Sequence, residues 1–261
     1  MKIVDLTEEK KRLYFVCLED WSDEMIEAGN HKERWYESMK DKGLRVKLAL
    51  DDNGTVGDMI QYLPASESFV EGNGLYFIPC IWVHGYKKGR GDFSKRGMGT
   101  TLLEAAEGDA GLLGAHGMAA WGLILPFWMR SSWYKKHGYR KADRRGIMEL
   151  VWKSFDDRAQ PPKWIRQKKK PEKISGQVTV TAYHNGWCPA MNISYERARR
   201  AASDFGEKVK FRTVNTLDRE AFLEWGISGD IFVDDTKITT GPPLTYEKIR
   251  KQIAKRVKKL K

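Results

Sequence analysis

Cysteine is scarce in this sequence. Three cysteines occur in 261 residues, at Cys17, Cys80 and Cys188. They are far apart and odd in number, so the chain lacks both a disulfide framework and the clustered cysteines that bind structural metals. No metal site is therefore predicted, and a reducing compartment is expected.

Long apolar stretches are also missing. No segment approaches the roughly 20 apolar residues that a membrane-spanning helix needs. The opening MKIVDLTEEKKRLYF contains no apolar core of the signal-peptide kind. These absences predict a cytoplasmic protein without a membrane partner. The hydrophobic share of 41% is nonetheless sufficient for a buried core.

Acidic residues are fewer than basic ones, which gives a net charge of +11. The excess lies mainly in RQKKKPEK (166–173) and KQIAKRVKKLK (251–261). The sequence has no zinc-finger spacing and no RNP-type aromatic motif, so nucleic acid is not expected as a partner. We interpret both stretches as a solvated linker and tail. Nucleic-acid binding through the basic tail stays open as an alternative.

Composition divides the chain into two domains. Paired prolines and a lysine run in DDRAQPPKWIRQKKKPEKISG predict a linker at 156–175, between domains at 1–155 and 176–261. The first domain is predicted to contain helices, a hairpin around DDNG, buried strands and the helix after Gly99. The second follows the order βαβαββα. The predicted fold class is mixed α/β, with a central mixed sheet and a smaller α/β domain.

The stretch FSKRGMGTTLLEAAE predicts a phosphate-binding loop. Glycines after a strand and before a helix leave backbone N–H groups free to bind an anion, and the helix dipole assists them. A P-loop is excluded because no lysine follows the second glycine, and the dinucleotide fingerprint is excluded because Leu102 replaces its third glycine. The Gly97-Met98-Gly99 sequence fits the diphosphate loop of acyl-CoA enzymes.

Three motifs in order resemble the GNAT superfamily of acyl-CoA N-acyltransferases. They are the hairpin VKLALDDNGTVGDMIQYL, the strand–loop–helix CIWVHGYKKGRGDFSKRGMGTTLLEAAE, and WYKKHGYRK. The resemblance implies a GNAT fold over about the first 155 residues. It also implies acetyl-CoA as the co-substrate and direct attack of an amine on the thioester. Because GNAT domains often pair, a homodimer is an expected assembly.

The resemblance also implies roles for particular residues. Tyr134 matches the position that protonates the departing CoA thiolate. Strand backbone would contact the pantetheine arm at Ile81, Trp82 and Val83. Backbone amides would bind the diphosphate at Lys95, Arg96, Gly97, Met98, Gly99 and Thr100.

The sequence departs from the family in several places. Ser94 replaces the usual Arg or Gln before the loop, and the insertion GYKKGRGDFSK precedes it. We hypothesise that this insertion forms a flap whose Lys87, Lys88 and Arg90 face the phosphates. No acidic residue lies on the strand before the loop.

For the general base, His84 is the nearest side chain with a suitable pKa. Glu67 and Glu71 are comparable candidates, and a purely structural role for His84 also stays open. The acceptor is predicted to be a primary amine of a small molecule or peptide. The candidates for the lining of its pocket are the stretch LPASESFVEGNG and the aromatic side chains of Trp121, Phe127, Trp128 and Trp133. Core packing stays open as the alternative role of each aromatic.

The second domain resembles the thioredoxin-like fold. Cys188 follows Trp187 at a predicted helix start, where the helix dipole favours a thiolate. Met191 replaces the second cysteine of the family motif, which excludes a dithiol–disulfide cycle within this site. Cys188 is thus a catalytic candidate, or the domain is a scaffold. A GNAT domain with such a tail resembles the YoaP-type acetyltransferases. The alternative is a thiol-dependent redox or transfer protein whose GNAT domain only binds CoA.

Overall fold

The computed structural model describes residues 1–126, 129–239 and 241–260. The chain forms two compact units. The first consists of Met1–Trp21 and Ser38–Ile165, and the second consists of Ser22–Glu37 and the chain from Arg166 onward. A segment near the start of the chain therefore packs with C-terminal residues, which the sequence gives no reason to expect.

A mixed sheet forms the centre of the first unit. In the described residues it has seven strands in the spatial order β1–β2–β3–β5–β6–β8–β7. The pair β5–β6 is parallel, and the other neighbouring pairs are antiparallel. The strands are β1 (Lys2–Asp5), β2 (Arg45–Leu50), β3 (Val56–Pro64), β5 (Leu75–Val83), β6 (Gly117–Leu123), β7 (Arg140–Arg145) and β8 (Met148–Ser154). A small separate ladder pairs β4 (Val70–Glu71) with β9 (Lys163–Trp164).

Apolar strands and one amphipathic helix make the core of this unit. β5 lies between β3 and β6 and is nearly continuous in apolar residues, as expected of a strand covered on both faces. The helix α4 (Met98–Leu112) contacts this sheet through the side predicted from its helical spacing. The predicted side consists of Leu102, Leu103, Ala106, Ala110 and Leu113; the first four are buried, whereas Leu113 is exposed because it follows the end of the helix.

Several elements differ from the sequence-based expectation. The stretch EMIEAGNHKERWYESMKDKG has the pattern of one amphipathic helix, but it is broken into α2 (Asp23–Glu27) and α3 (His31–Met39), with Gly29 between them at φ 66°. A left-handed glycine ends a helix because it has no Cβ to clash. The strand β7, with the sequence RKADRR, was not predicted because its charged residues hide the strand pattern. Such charges are typical of sheet edges, which is where β7 lies.

The second unit contains the predicted βαβαββα order. Its sheet has the strand order β11–β10–β12–β13 in the described residues. The elements are β10 (Val178–His184), α6 (Pro189–Ser203), β11 (Val209–Asn215), α7 (Arg219–Trp225), β12 (Asp230–Val233), β13 (Thr236–Lys237) and α8 (Tyr246–Val257). The mixed α/β class is confirmed for both units, while the thioredoxin-like assignment stays a prediction. The remaining helices, α1 (Glu8–Phe15) and α5 (Ser131–Lys136), lie in the first unit.

Ion pairs hold the early segment within the second unit. Arg197 of α6 pairs with Glu27 at 2.7 Å and with Glu24 at 2.9 Å. His31 lies 2.7 Å from Glu196. The side chains of His31 and Glu196 are both largely buried, so these contacts are less screened than surface pairs. Among the described helices, none combines the length and the apolar character needed to cross a membrane.

Candidate active site

The central strands β5 and β6 separate partway along. In the described sheet they pair from Leu75–Ile78 of β5 to Gly117–Ala120 of β6, although β5 continues to Val83. Trp121 Nε1 donates to the Pro79 carbonyl at 2.8 Å where the strands part. Beyond this point, one edge of β5 is available to an extended ligand. This part of β5 contains the residues predicted to contact the pantetheine arm, namely Ile81, Trp82 and Val83.

The loop before α4 presents backbone donors without acceptors. Gly97 is left-handed at φ 79°, α4 begins at Met98, and no side chain caps the helix start. Within the described residues, the amides of the predicted diphosphate loop donate no hydrogen bond. These are the amides of Lys95, Arg96, Gly97, Met98, Gly99 and Thr100. Uncapped N–H groups at the positive end of a helix dipole suit an anion.

The space around the loop fits a diphosphate. A Cβ atom at Gly99 would lie 3.3 Å from Val83 Cγ2, so glycine keeps the loop close to β5. A Cβ atom at Gly97 would meet no atom within 4 Å, so this side of the loop is open. Lys95 and Arg96 are exposed and add positive charge. The residues present therefore fit the diphosphate group of coenzyme A.

Thr100 can offer its backbone amide to a ligand, because its hydroxyl group is hydrogen-bonded to His137. His137 Nδ1 lies 2.8 Å from the Trp133 carbonyl oxygen, which can only accept a hydrogen bond. In the neutral ring, Nδ1 thus carries the proton. His137 Nε2 then accepts from the Thr100 hydroxyl at 3.0 Å. This histidine, which the sequence analysis did not single out, fixes the first turn of α4 against α5.

Tyr134 lies in α5 with its ring in the core. The side chain is 1% exposed, and its hydroxyl has no hydrogen-bond partner in the described part of the chain. Burial raises the pKa of the phenol well above its usual value, and the nearby Cys80 of β5 raises it further. The phenol therefore keeps its proton at neutral pH. Such a group can donate a proton but cannot act as a base.

His84 follows β5 directly and is fully buried. Its Nδ1 lies 2.7 Å from the Gly91 carbonyl oxygen, so Nδ1 donates and Nε2 of the neutral ring is an acceptor. Nε2 is buried and has no partner among the described residues. The rings of Trp21 and Tyr86 lie 6.3 and 4.4 Å from the His84 ring, measured between centroids. The insertion thus fixes the tautomer of His84.

The charges of the insertion are largely engaged by other side chains. Arg90 donates to Asp20 at 3.0 Å. Lys88 Nζ lies 4.7 Å from the centroid of the Trp21 ring, a cation–π distance. These contacts give Lys88 and Arg90 partners within the protein. The hypothesis that they face the phosphates gains no support from this arrangement.

The two glutamate candidates lie at the other end of β5. Glu67 belongs to a short 3-10 turn and Glu71 to β4, and both precede the first residue of β5. The strands part after Ile78, towards the opposite end. His84 is therefore better placed than either glutamate.

The predicted aromatic pocket is only partly described. Trp121 is buried and bonded to Pro79, as above, so it has a structural role where the strands part. The Trp133 ring contacts the Tyr134 ring, with 5.0 Å between centroids. Phe127 and Trp128 lie outside the described residues. The acceptor pocket stays a prediction.

The sequence analysis missed Asp58. This residue of β3 is fully buried, and burial raises the pKa of its carboxyl group to about 7, against a smaller lowering effect of Arg96. The sequence VGDMIQYL contains a signal that Asp58 faces the core. Asp58 alternates with Ile60 and Tyr62, two apolar residues that enter the core with α4.

In the second unit, Cys188 lies at the predicted helix start. It is the N-cap residue of α6, and Pro189 occupies the first helical position. The neighbouring asparagines are fully engaged: Asn185 donates to the Ser228 carbonyl at 2.7 Å, and Asn192 donates to the Gly186 carbonyl at 3.0 Å. The helix start is confirmed, whereas a chemical role for Cys188 stays a prediction.

One relative resembles the chain over most of its length. The "Uncharacterized N-acetyltransferase YoaP" of Bacillus subtilis (strain 168) is 26% identical over 197 residues, which cover 72% of this chain and 73% of that protein. The predicted resemblance to the YoaP-type acetyltransferases is confirmed. The enzyme class predicted from the sequence, an acyltransferase, agrees with this N-acetyltransferase relative. Because the matched stretch is longer than the chain up to Ile165, it extends into the second unit. No family model matches the sequence.

Several solved structures of GNAT proteins are similar to part of the chain. The PaiA N-acetyltransferase of Thermoplasma acidophilum in complex with coenzyme A is 16% identical, covering 59% of this chain and 100% of that one at a TM-score of 0.43. A GNAT family acetyltransferase of Staphylococcus aureus Mu50 is 12% identical, covering 59% and 99% at 0.43. The aminoglycoside 6′-acetyltransferase type Ii is 14% identical, covering 60% and 99% at 0.42. With TM-scores below 0.5, these likenesses carry no argument here.

Proposed function

We propose that the protein transfers an acetyl group from acetyl-CoA to a primary amine of a small molecule or peptide. The observation that carries this proposal is the row of unused amides from Lys95 to Thr100, next to the free edge of β5. The amides would bind the diphosphate, and backbone groups of Ile81, Trp82 and Val83 would pair with the pantetheine arm. Acetyl-CoA supplies an activated acetyl thioester that an amine can attack directly.

Tyr134 is proposed as the general acid. Its hydroxyl is buried without a partner and lies near Cys80 on the separated part of β5. Because the raised pKa keeps the phenol protonated, the hydroxyl can give its proton to the leaving sulfur. This role uses the hydroxyl that the fold itself leaves unbonded.

His84 is proposed as the base that accepts the proton of the amine. The Gly91 carbonyl holds the proton on Nδ1, which leaves Nε2 as an acceptor without a partner in the described chain. A neutral amine is required for attack on the thioester, so a nearby acceptor of this kind assists the reaction.

The C-terminal unit is proposed to be a scaffold. The asparagines beside Cys188 donate to the protein's own carbonyls, as expected of a structural loop. The rival assignment gives the chemistry to Cys188 and leaves CoA binding to the first unit. We also propose that the stretch 156–175 joins two domains, although its part up to Ile165 belongs to the first unit, and that two copies pair, as GNAT domains often do.

One experiment tests the function and separates it from the rival. Purified protein is incubated with acetyl-CoA and a library of primary amines, and release of free CoA thiol is measured. We expect amine-dependent thiol release that persists in Cys188→Ala. Loss of turnover in Cys188→Ala, with CoA binding retained, would favour the thiol-dependent rival. Failure of the protein to bind CoA at all would contradict the proposed function.

A further inference from the structure

Asp58 is a buried carboxyl group without a hydrogen-bond partner. It is 0% exposed, and neither of its oxygens accepts a hydrogen bond from any described residue. Its neighbours across the sheet are Ala49 of β2 and Val83 of β5, both apolar. Burying an ionised carboxylate in such surroundings is costly unless a partner compensates it. The fold therefore holds a group whose charge state depends strongly on what lies next to it.

The carboxyl group lies on the side of the sheet that carries the diphosphate loop. Residues paired across strands project to the same face, so Asp58 and Val83 share one face. Val83 Cγ2 is 3.3 Å from the Cβ position of Gly99, in the first turn of α4. Asp58 is thus placed beneath the start of α4, one strand away from β5.

Arg96 of the loop is the cation that acts on Asp58. Among the described groups, it is the charged one whose field favours the ionised carboxylate. The strands on either side contribute Ala49 and Val83, which carry no charge. Asp92, exposed in the same loop, also interacts with Arg96 and with His84. A diphosphate bound at the loop would therefore interact with Arg96 at the same time as the carboxyl groups of Asp58 and Asp92.

We propose that Asp58 is a positioning residue that couples one proton to binding of the diphosphate. When the carboxyl group is neutral, Arg96 and the amides of the loop are available to the ligand. When it is ionised, it attracts Arg96 and repels the diphosphate, so binding draws a proton onto Asp58. This inference rests on the proposed cofactor site and adds a residue to it.

The pH dependence of the affinity for the diphosphate follows from the pKa of Asp58. Burial raises the pKa of Asp58 to about 7, so the free protein carries a largely neutral group below that pH and a largely ionised one above it. A nearby diphosphate raises the pKa further, because like charges disfavour ionisation. Affinity should hence be constant below pH 7 and fall by up to about tenfold per pH unit above it.

The test uses coenzyme A without its 3′-phosphate as the probe. This probe keeps the diphosphate but lacks the phosphate monoester, which titrates with a pKa near 6 and would exchange protons itself. Binding to the full chain is measured by calorimetry at pH 8 in two buffers with different ionisation enthalpies. We expect wild type to take up close to one proton and to bind about 20-fold more weakly at pH 8.5 than at pH 6.5.

Asp58→Asn mimics the neutral carboxyl group and should take up no proton at pH 8. Its affinity should be independent of pH and should match that of wild type at pH 6.5. Asp41→Asn, which changes an exposed aspartate in the first unit, is the matched control and should behave like wild type. Proton uptake that is equal in Asp58→Asn and wild type, or absent from both, overturns the proposal. No binding of the probe by wild type at either pH contradicts the proposed function instead.

A measurement on wild type covers the case in which Asp58→Asn does not fold. The carboxyl carbon of Asp58 is followed by NMR against pH, with and without the probe. The proposal expects a higher apparent pKa in the complex. An unchanged pKa overturns it.

Discussion

Each unit contains a strand that leads through a loop into a 15-residue helix, and the two loops treat their polar groups in opposite ways. Before α6, His184 lies 2.8 Å from Asn192, while Asn185 bonds to both Trp187 and Ser228. Before α4, the amides from Lys95 to Thr100 donate to nothing in the described chain. The asparagines of the loop before α6 are hydrogen-bonded within the protein, whereas, in the part of the chain that the structure describes, the backbone amides of the loop before α4 are not.

This difference separates a scaffold from a binding site. Buried polar groups in native proteins are almost always hydrogen-bonded, so exceptions require an explanation. Around α4 the exceptions include Asp58, His84 Nε2 and the Tyr134 hydroxyl. A bound substrate can satisfy such groups. In the second unit the asparagines around Cys188 are hydrogen-bonded within the protein, and unpaired buried groups occur on β10 at Thr179, Thr181 and Tyr183.

The largest effect is expected from Tyr134→Phe. Removing a general acid should lower kcat by about 100-fold or more. Because the lost hydroxyl has no partner in the described residues, its removal should leave thermal stability unchanged or raise it. Steady-state kinetics and a melting curve on the same sample would check both.

Tyr139→Phe is the matched control, since the Tyr139 ring is equally buried and its centroid lies 5.4 Å from that of Tyr134. It should keep near-normal kcat. Equal losses in the two variants would mean that packing, not proton donation, explains the effect.

An intermediate effect is expected at the glycine before α4. Alanine at the left-handed Gly97 costs about 1–2 kcal/mol, which the loop can relieve by changing its conformation and misaligning its amides. We therefore expect Gly97→Ala to weaken CoA binding by about tenfold, as measured by calorimetry.

Gly111→Ala tests the same substitution within α4, where an added Cβ would meet no atom within 4 Å. The variant should stabilise the helix by about 0.5–1 kcal/mol and leave the affinity for CoA unchanged. If Gly111→Ala weakened binding as much as Gly97→Ala, the left-handed turn would not be the feature that holds the diphosphate.

The smallest effect is expected in the second unit. Cys188→Ala should change kcat/KM for acetyl transfer by less than about twofold, because the loop around Cys188 has no unmet hydrogen bonds at its asparagines. The thiol-release assay above provides the measurement. A loss of more than tenfold would show that the two loops are not as different as their hydrogen bonding indicates.

Local patterns predicted much of the fold and the loop. The requirement for glycine at Gly97 and Gly99 comes from the backbone of the loop itself, so it can be recognised from a few neighbouring residues. The buried side of α4 follows from helical spacing. Alternation with Ile60 and Tyr62 places Asp58 on the core face, but the apolar surroundings of its carboxyl group could not be predicted in this way. Its burial depends on Ala49 and Val83, which reach it only when β2 and β5 pair with β3. A single polar residue in a strand usually signals a solvated position.

Contacts between residues far apart in the sequence could not be predicted either. Nothing in residues 22–37 indicates that Glu27 pairs with Arg197, 170 positions later. The tautomer of His84 likewise depends on the course of the insertion back to Gly91. Neither contact can be predicted from the secondary-structure propensities of nearby residues.

The packing of Ser22–Glu37 with the C-terminal residues has a consequence for how this protein is made and dissected. On the ribosome these helices emerge early, yet Arg197, which binds Glu27, is translated 170 positions later, so their final packing must await synthesis of α6. For the same reason, no single cut in the polypeptide yields both units whole. A fragment ending at the linker would carry two orphaned helices, and the complementary fragment would lack the carboxylates that its Arg197 binds.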